Sequence, residues 1–242
     1  MAGYGQLPEI DEKFIFHAVR GRKTAEALGI DESLAITDSA ILIRTVDIPK
    51  ANKKSFKFGY MPHHDSIEIF DWESICRKLD IHYVCPTWDV EQVLMEITKC
   101  DTLLCEAMHG AIVADSLRIP WVPVFCYEHI DSFKWEDWLQ TVKLPYKPNF
   151  ITSIYDVDRN FNYKTLVKNK IKRALINLGI FSDNWDKPPK PKSSVEEIEK
   201  AISEFANLKN AKTYLSNIKI CEKLTHDYVN LVEKFKIDYL GK

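Results

Sequence analysis

Asp101-Thr102-Leu103-Leu104-Cys105-Glu106-Ala107-Met108-His109-Gly110, then Ala111-Ile112-Val113-Ala114-Asp115-Ser116-Leu117-Arg118 and Ile119-Pro120-Trp121-Val122-Pro123-Val124-Phe125-Cys126, decide the fold of this chain. Residues 101–105 read as a buried strand, 106–110 as a turn, 111–118 as a helix and 119–126 as the next strand. Apolar runs of this length around a short helix are the mark of a parallel βαβ unit. His109-Gly110 falls where the strand ends and the helix begins. A parallel sheet opens its binding crevice there, and free helix N–H groups with the helix dipole favour an anion. Gly110 is expected to supply a backbone conformation closed to other residues and to let a ligand approach the main chain. His109 is placed to donate to an anion or to move a proton near neutral pH. A plain bond to a loop carbonyl is the alternative.

Upstream, Phe56-Lys57-Phe58-Gly59-Tyr60-Met61 alternates as a strand and runs into Pro62-His63-His64-Asp65-Ser66. On an extended segment adjacent side chains face opposite ways, so one of His63 and His64 at most is expected in a site. Residues 72–79 carry Trp72, Ile75, Cys76 and Leu79 at helical spacing, and residues 81–85 read as a strand. Asp89 opens a helix with Gln92 three residues on, a capping-box variant, and Val90, Val93, Leu94 and Ile97 mark its buried face. From residue 56 to 126 the order is β-α-β-α-β-α-β, which predicts an α/β fold with a doubly wound, Rossmann-like parallel sheet.

Nearer the start, residues 3–8 form a Gly-rich lead-in that reads as a surface turn rather than a phosphate loop. Residues 14–20 read as a buried strand ended by Gly21, and 23–28 as a short helix closed by Gly29. Arg20 and Arg22 thus bracket a second strand-to-helix turn, where a guanidinium can grip a carboxylate or phosphate through two parallel bonds. Pairing with a surface carboxylate is the alternative for either arginine. Residues 34–37 read as a strand, with Asp38 capping the turn that follows or, as the lesser alternative, orienting a basic group. Residues 48–55 read as a solvated loop.

Downstream, residues 128–141 read as an aromatic-rich helix closing the domain, and 186–192 as a stiff, solvated Pro/Lys linker. Two amphipathic helices follow, at 195–206 and 212–235. Their interspersed acids and bases predict solvated faces packing back on the body, with a membrane-surface contact as the lesser alternative.

The 242 residues, 45% hydrophobic and 28% charged, are ample for a core. A net charge of -2 gives no basic surplus, so no nucleic-acid partner is expected. No run of about 18 apolar residues predicts a transmembrane helix. Met1-Ala2-Gly3-Tyr4-Gly5 has neither the basic nor the apolar part of a signal peptide, so a cytoplasmic location is expected. The six cysteines contain no CxxC pair and read as small core residues in a reducing compartment, Cys85, Cys105 and Cys126 beside buried strands. Cys and His spacing fits no common zinc pattern, and no metal is expected.

Four motifs in order, Arg20-Gly21-Arg22-Lys23-Thr24-Ala25-Glu26-Ala27-Leu28-Gly29, Thr37-Asp38-Ser39-Ala40, Met61-Pro62-His63-His64 and the run from Glu106 through Pro120, resemble the polysaccharide pyruvyl transferase family. In particular they resemble the branch that pyruvylates bacterial exopolysaccharides such as succinoglycan. The resemblance covers about residues 1 to 130. It implies a glycosyltransferase-B-like fold of two Rossmann-like halves. It also implies transfer of the enolpyruvyl carbons of phosphoenolpyruvate to two sugar hydroxyls, giving a cyclic ketal and phosphate, with no cofactor. The implied acceptor is an oligosaccharide or lipid-linked sugar, which would put the protein in the cytoplasm or peripherally at the inner face of the membrane.

Carried over residue by residue, the family's donor-site arginine corresponds to Arg20 and the histidine of its Arg-Leu-His-Gly-type turn to His109. That turn's arginine is Ala107 here, and Met108 holds the leucine place. Family members usually carry a further N-terminal segment, so the first half is expected to be incomplete. The resulting organisation is residues 1–55 as a remnant or linking part of the N-terminal half, 56–185 as the C-terminal Rossmann-like domain, and 186–242 as linker and helices. The residues fit the chemistry, because arginines and a helix N-terminus suit a small, highly charged anion and a histidine suits proton transfer. His109 and His63 are the expected acid/base residues. Arg20, Arg22, Met108, Gly110 and Glu106 are the expected substrate contacts. A nucleotide-sugar glycosyltransferase, with Glu106 on the donor ribose, and a non-catalytic remnant are the competing readings.

Overall fold

The computed structural model describes residues 10, 11, 13–180 and 186–241, so the Gly-rich lead-in at 3–8 lies outside the described residues. The strands are β1 (Phe56–Met61), β2 (His82–Tyr83), β3 (Cys100–Cys105), β4 (Trp121–Phe125) and β5 (Asn149–Phe150). They form one sheet in the order β2-β1-β3-β4-β5, each neighbouring pair parallel. Numbering runs outward in both directions from the β1–β3 pair. Such a doubly wound order leaves a crevice at the carboxyl ends of those two strands.

The helices are α1 (Arg22–Leu28), α2 (Ser66–Ile69), α3 (Trp72–Lys78), α4 (Val90–Thr98), α5 (Met108–Ser116), α6 (Ser132–Thr141), α7 (Tyr163–Asn177), α8 (Val195–Asn207) and α9 (Ile218–Leu240), with a 3-10 segment at Ser39–Thr45. Strand alternation sorts the core into two layers. Met61, Leu103, Cys105 and Trp121 face a layer built with α5, α6 and the Cys221–Leu224 stretch of α9. Phe58, Tyr60, Leu104, Val122 and Val124 face the other layer, which α3 and α8 close with Trp72, Ile75, Ala201 and Phe205. Both faces are covered, as the near-continuous apolar strands of a parallel sheet require.

Local signals account for most boundaries. Asp71, Asp89 and Asp131 each accept a main-chain N–H at the start of α3, α4 and α6, and Gly29, at φ +66°, closes α1. Ser194 and Glu197 form a complete capping box on α8.

Several expectations are corrected. Residues 14–20 do not form a buried strand. Phe14 and Ile15 are 52% and 66% exposed, and only Val19 pairs, through one bridge to Ala35. The segment has strand-like composition but no neighbouring strand along its length. At α4 the Asp89 carboxylate takes the Glu91 N–H rather than completing a box with Gln92, and Val90 is 71% exposed. The helix expected at 212 begins at Ile218, because Tyr214 makes an antiparallel bridge to Trp121 instead. Cys85 is only partly buried; the other five cysteines are buried, and all are free thiols.

Candidate functional site

The crevice at the switch point is built from the ends of β1 and β3. Met61 and Cys105 are register partners there, and the Met61 carbonyl accepts the N–H groups of Glu106 (3.0 Å) and Ala107 (3.3 Å). Glu106 is fully buried beneath the crevice. Its Oε2 accepts the His63 main-chain N–H at 2.9 Å and the Tyr60 hydroxyl at 3.3 Å, tying the turn after β1 to the turn after β3. Burial pushes the Glu106 carboxyl up to about 7, against the opposing pull of the His63 N–H, Ser66 and Tyr60.

The turn expected at residues 106–110 is shorter. Helix α5 starts at Met108, so His109 and Gly110 sit in its first turn, after Ala107 as N-cap. Gly110 is therefore helical, and its lack of a side chain serves packing. A Cβ there would stand 2.7 Å from Met61 Sδ. Ala107 has no side chain to cap the helix, and among the described residues none does. The first-turn N–H groups of a helix lack intrahelical acceptors and carry partial positive charge. Met108 is buried in the core under them, while the His109 side chain is 69% exposed and faces Asp38 Oδ2 across 3.7 Å. For the Asp38 carboxyl burial acts upward, but the His109 hydrogen bond, the Ala40 N–H and Arg20 outweigh it and hold the group below its usual range.

These elements line a pocket of about 380 Å³ whose wall includes Glu106, Met108 and His109, with both His63 and His64. Both imidazoles reach it because the chain turns at 64–65 rather than running extended, so the expectation that one at most enters is corrected. Their ring centres are 4.2 Å apart. Burial, with His64 and His129 nearby, pushes His63 down to about 4.

Arg20 reaches the back of the same assembly. Its Nη1 points at Met108 Sδ (3.8 Å), and its Nε faces the buried Asp137 Oδ2 at 3.6 Å. Asp137 also accepts the Thr24 N–H (3.1 Å) and hydroxyl (2.5 Å), so the motif at 20–24 is seated on this carboxylate. Arg22 is not brought in. It is the first residue of α1, largely exposed, and pairs with Glu32 at 3.7 Å.

Sequence reasoning missed Lys134, Asp131, Asp137 and His129. Lys134 and Asp131 border the pocket from α6 and its N-cap, and burial lowers the Lys134 ammonium. The aromatic-rich stretch marked a helix closing the domain, but nothing local indicated which site its polar residues would meet. The arrangement offers an uncapped helix start, three imidazoles and an ammonium around a space large enough to admit a small anion.

The family model described as "Polysaccharide pyruvyl transferase" matches residues 9–129. That stretch contains Arg20, Asp38, His63, Glu106 and His109 and ends at His129. A curated relative, the succinoglycan biosynthesis protein ExoV of Rhizobium meliloti (strain 1021), is 34% identical over 148 residues, 60% of this chain and 47% of that protein. The chain thus spans about half the length of the curated relative it matches. No solved structure matches it.

Proposed function

The chain belongs to the polysaccharide pyruvyl transferase family, and from that membership we propose that it transfers pyruvate from phosphoenolpyruvate to a sugar of a surface-polysaccharide precursor. The observation that carries this reading is the uncapped start of α5, with His109 in its first turn, opening into the pocket between the ends of β1 and β3. A helix N-terminus at a switch point binds anions, and phosphoenolpyruvate carries a phosphate and a carboxylate on three carbons.

In the proposed reaction the donor's methylene carbon takes a proton and becomes a methyl group. The first sugar hydroxyl adds to the adjacent carbon and gives up its proton. The second hydroxyl then forms the other C–O bond as the bond to phosphate breaks, and its proton leaves with the phosphate. His109 is the acid/base group, held by Asp38, and His63 is the second. Arg20 supplies charge from behind Met108. Lys134 adds a cation to a turn whose family arginine is Ala107 here. Glu106 fixes the His63 main chain, and Gly110 lets the helix start approach β1.

In this reading the sheet of residues 56–185 is the C-terminal half of a glycosyltransferase-B-like fold. The acceptor is an oligosaccharide or lipid-linked sugar met in the cytoplasm or at the membrane face. No helix among the described residues is long and apolar enough to cross a membrane.

Calorimetric titration of phosphoenolpyruvate into the chain and into His109→Ala tests the donor site. Saturable binding that the substitution weakens about tenfold or more supports it. Equal binding by both proteins removes His109 from the site, and no binding by either overturns the donor assignment.

A further inference from the structure

Beside the donor pocket, the turns after β1 and β4 bring together three side chains that the scheme above does not use as a set. His63, Asp65 and His129 each offer one ligand atom, and the three atoms lie within 4.8 Å of one another. We propose that these residues form a binding site for one divalent transition-metal ion at the rim of the pocket; with the ion bound, His63 serves as a ligand and proton transfer is left to His109.

The chemistry of the set favours it. Two imidazoles and a carboxylate on one side of an ion make the facial arrangement that binds iron(II) and related ions while leaving positions open. The spacing is close to what an ion needs. Metal–ligand bonds of about 2.1 Å place the ligands of a facial set roughly 3.0 Å apart, and those of a tetrahedral one roughly 3.4 Å. His63 Nδ1 and Asp65 Oδ2 are already 3.5 Å apart. The Asp65 side chain is 55% exposed, so rotation can bring it onto an ion, and its other oxygen faces His64 Nε2 at 3.3 Å.

Each histidine is also anchored by its surroundings, His63 through its main chain and His129 through a ring nitrogen. The His63 main chain is fixed by Glu106. His129 Nε2 meets Ser66 Oγ at 3.0 Å, and its ring stacks on Tyr127 with centres 5.4 Å apart. The three residues come from two connections at the carboxyl end of one sheet, so the fold itself gathers them. Without an ion, the cluster is a hydrogen-bonded turn in which His63 Nδ1 accepts the Asp65 N–H at 3.3 Å. That plainer reading predicts no specific metal binding.

Cobalt(II) titrated into the untagged full chain decides between them, read by calorimetry and by visible absorption, with no phosphoenolpyruvate present. The expected result is one ion per chain, a ligand-field spectrum without a thiolate charge-transfer band, and affinity at least about tenfold weaker in both His129→Ala and Asp65→Asn. Asp65→Asn alters an exposed side chain, so its thermal unfolding should match that of the parent and its affinity can be read directly. Absence of saturable binding, unchanged affinity in Asp65→Asn, or a thiolate band that places the ion on cysteine would each overturn the site. Because no donor is added, failure here is separate from failure of the transferase reading.

Discussion

Asp38 divides its carboxylate between two partners: Oδ1 accepts the Ala40 N–H at 3.0 Å, and Oδ2 faces His109 Nε2 at 3.7 Å. One side chain therefore both caps the 3-10 segment and holds the imidazole at the helix start. Its pKa is depressed on folding. A carboxyl of that kind stabilises the fold above its unfolded value, near 3.8, and the contribution is lost as pH falls through the lower folded value. Asp38→Asn keeps a cap but not the charge. It should lower stability at pH 7 by less than about 1 kcal/mol, since His109 is largely exposed. Urea unfolding should show this gap closing below about pH 4. A gap of the same size at pH 7 and pH 3 would exclude the ionised form as its source.

Gly21 lies against the main-chain carbonyl and carboxylate of Asp137, and an added Cβ would collide with both. Neither atom can move, because Asp137 is fully buried on α6 and holds Thr24. Gly21→Ala is expected to cost about 2–3 kcal/mol. An unfolding midpoint within error of the parent would show that α1 can shift away from α6 as a unit.

Asp115, on the sheet side of α5, accepts the Trp121 indole N–H (3.1 Å), the Ser216 N–H (2.8 Å) and the Ser216 hydroxyl (2.5 Å). Asp115→Ala leaves three buried donors without an acceptor and should destabilise by about 3 kcal/mol or more. Ser216→Ala should cost about 2 kcal/mol, because its hydroxyl donates to the Asp115 carboxylate and accepts from Arg118 Nη1. Equal losses from the two substitutions would mean that Asp115 acts only through Ser216.

Gly110→Ala places a methyl group 2.7 Å from Met61 Sδ. Met61 can give at some cost, so stability should fall by only about 1–2 kcal/mol. The part of the clash that Met61 does not absorb pushes the start of α5 off β1, and phosphoenolpyruvate binding should weaken about tenfold or more, since helix N–H groups act within a short range. Calorimetry on the folded variant checks this, and unchanged donor affinity would detach binding from the helix start.

Which features could be read from the chain follows from the range of the forces that set them. The β1-to-β4 order was legible because the strands are short alternating or apolar segments and α3 and α4 carry their own aspartate caps. The two-residue β5 was not, since Phe150 is 70% exposed and its pairing with β4 is the only reason it is extended. Residues 14–20 misled in the opposite sense, having strand composition without a partner. At the site, His109 was visible from its place between strand and helix. The turn that brings both His63 and His64 to the pocket was hidden, since it depends on Glu106, 43 residues further on. Asp137 under Arg20 and His129 beside His63 were likewise beyond any local signal.

The two-sided covering of the sheet has a consequence for the timing of biosynthesis. Tyr60 on β1 is packed edge-on against Phe205 of α8, with ring centres 4.6 Å apart, and Trp121 on β4 is stacked on Tyr214 at 5.2 Å. Both covering rings are translated long after the strands they protect. While the ribosome is still between residues 141 and 205, α3 and α6 shield these strands only in part and each face of the nascent sheet keeps some aromatic surface exposed, the kind of species that aggregates or recruits chaperones. A stalled or prematurely terminated product would remain in that sticky state.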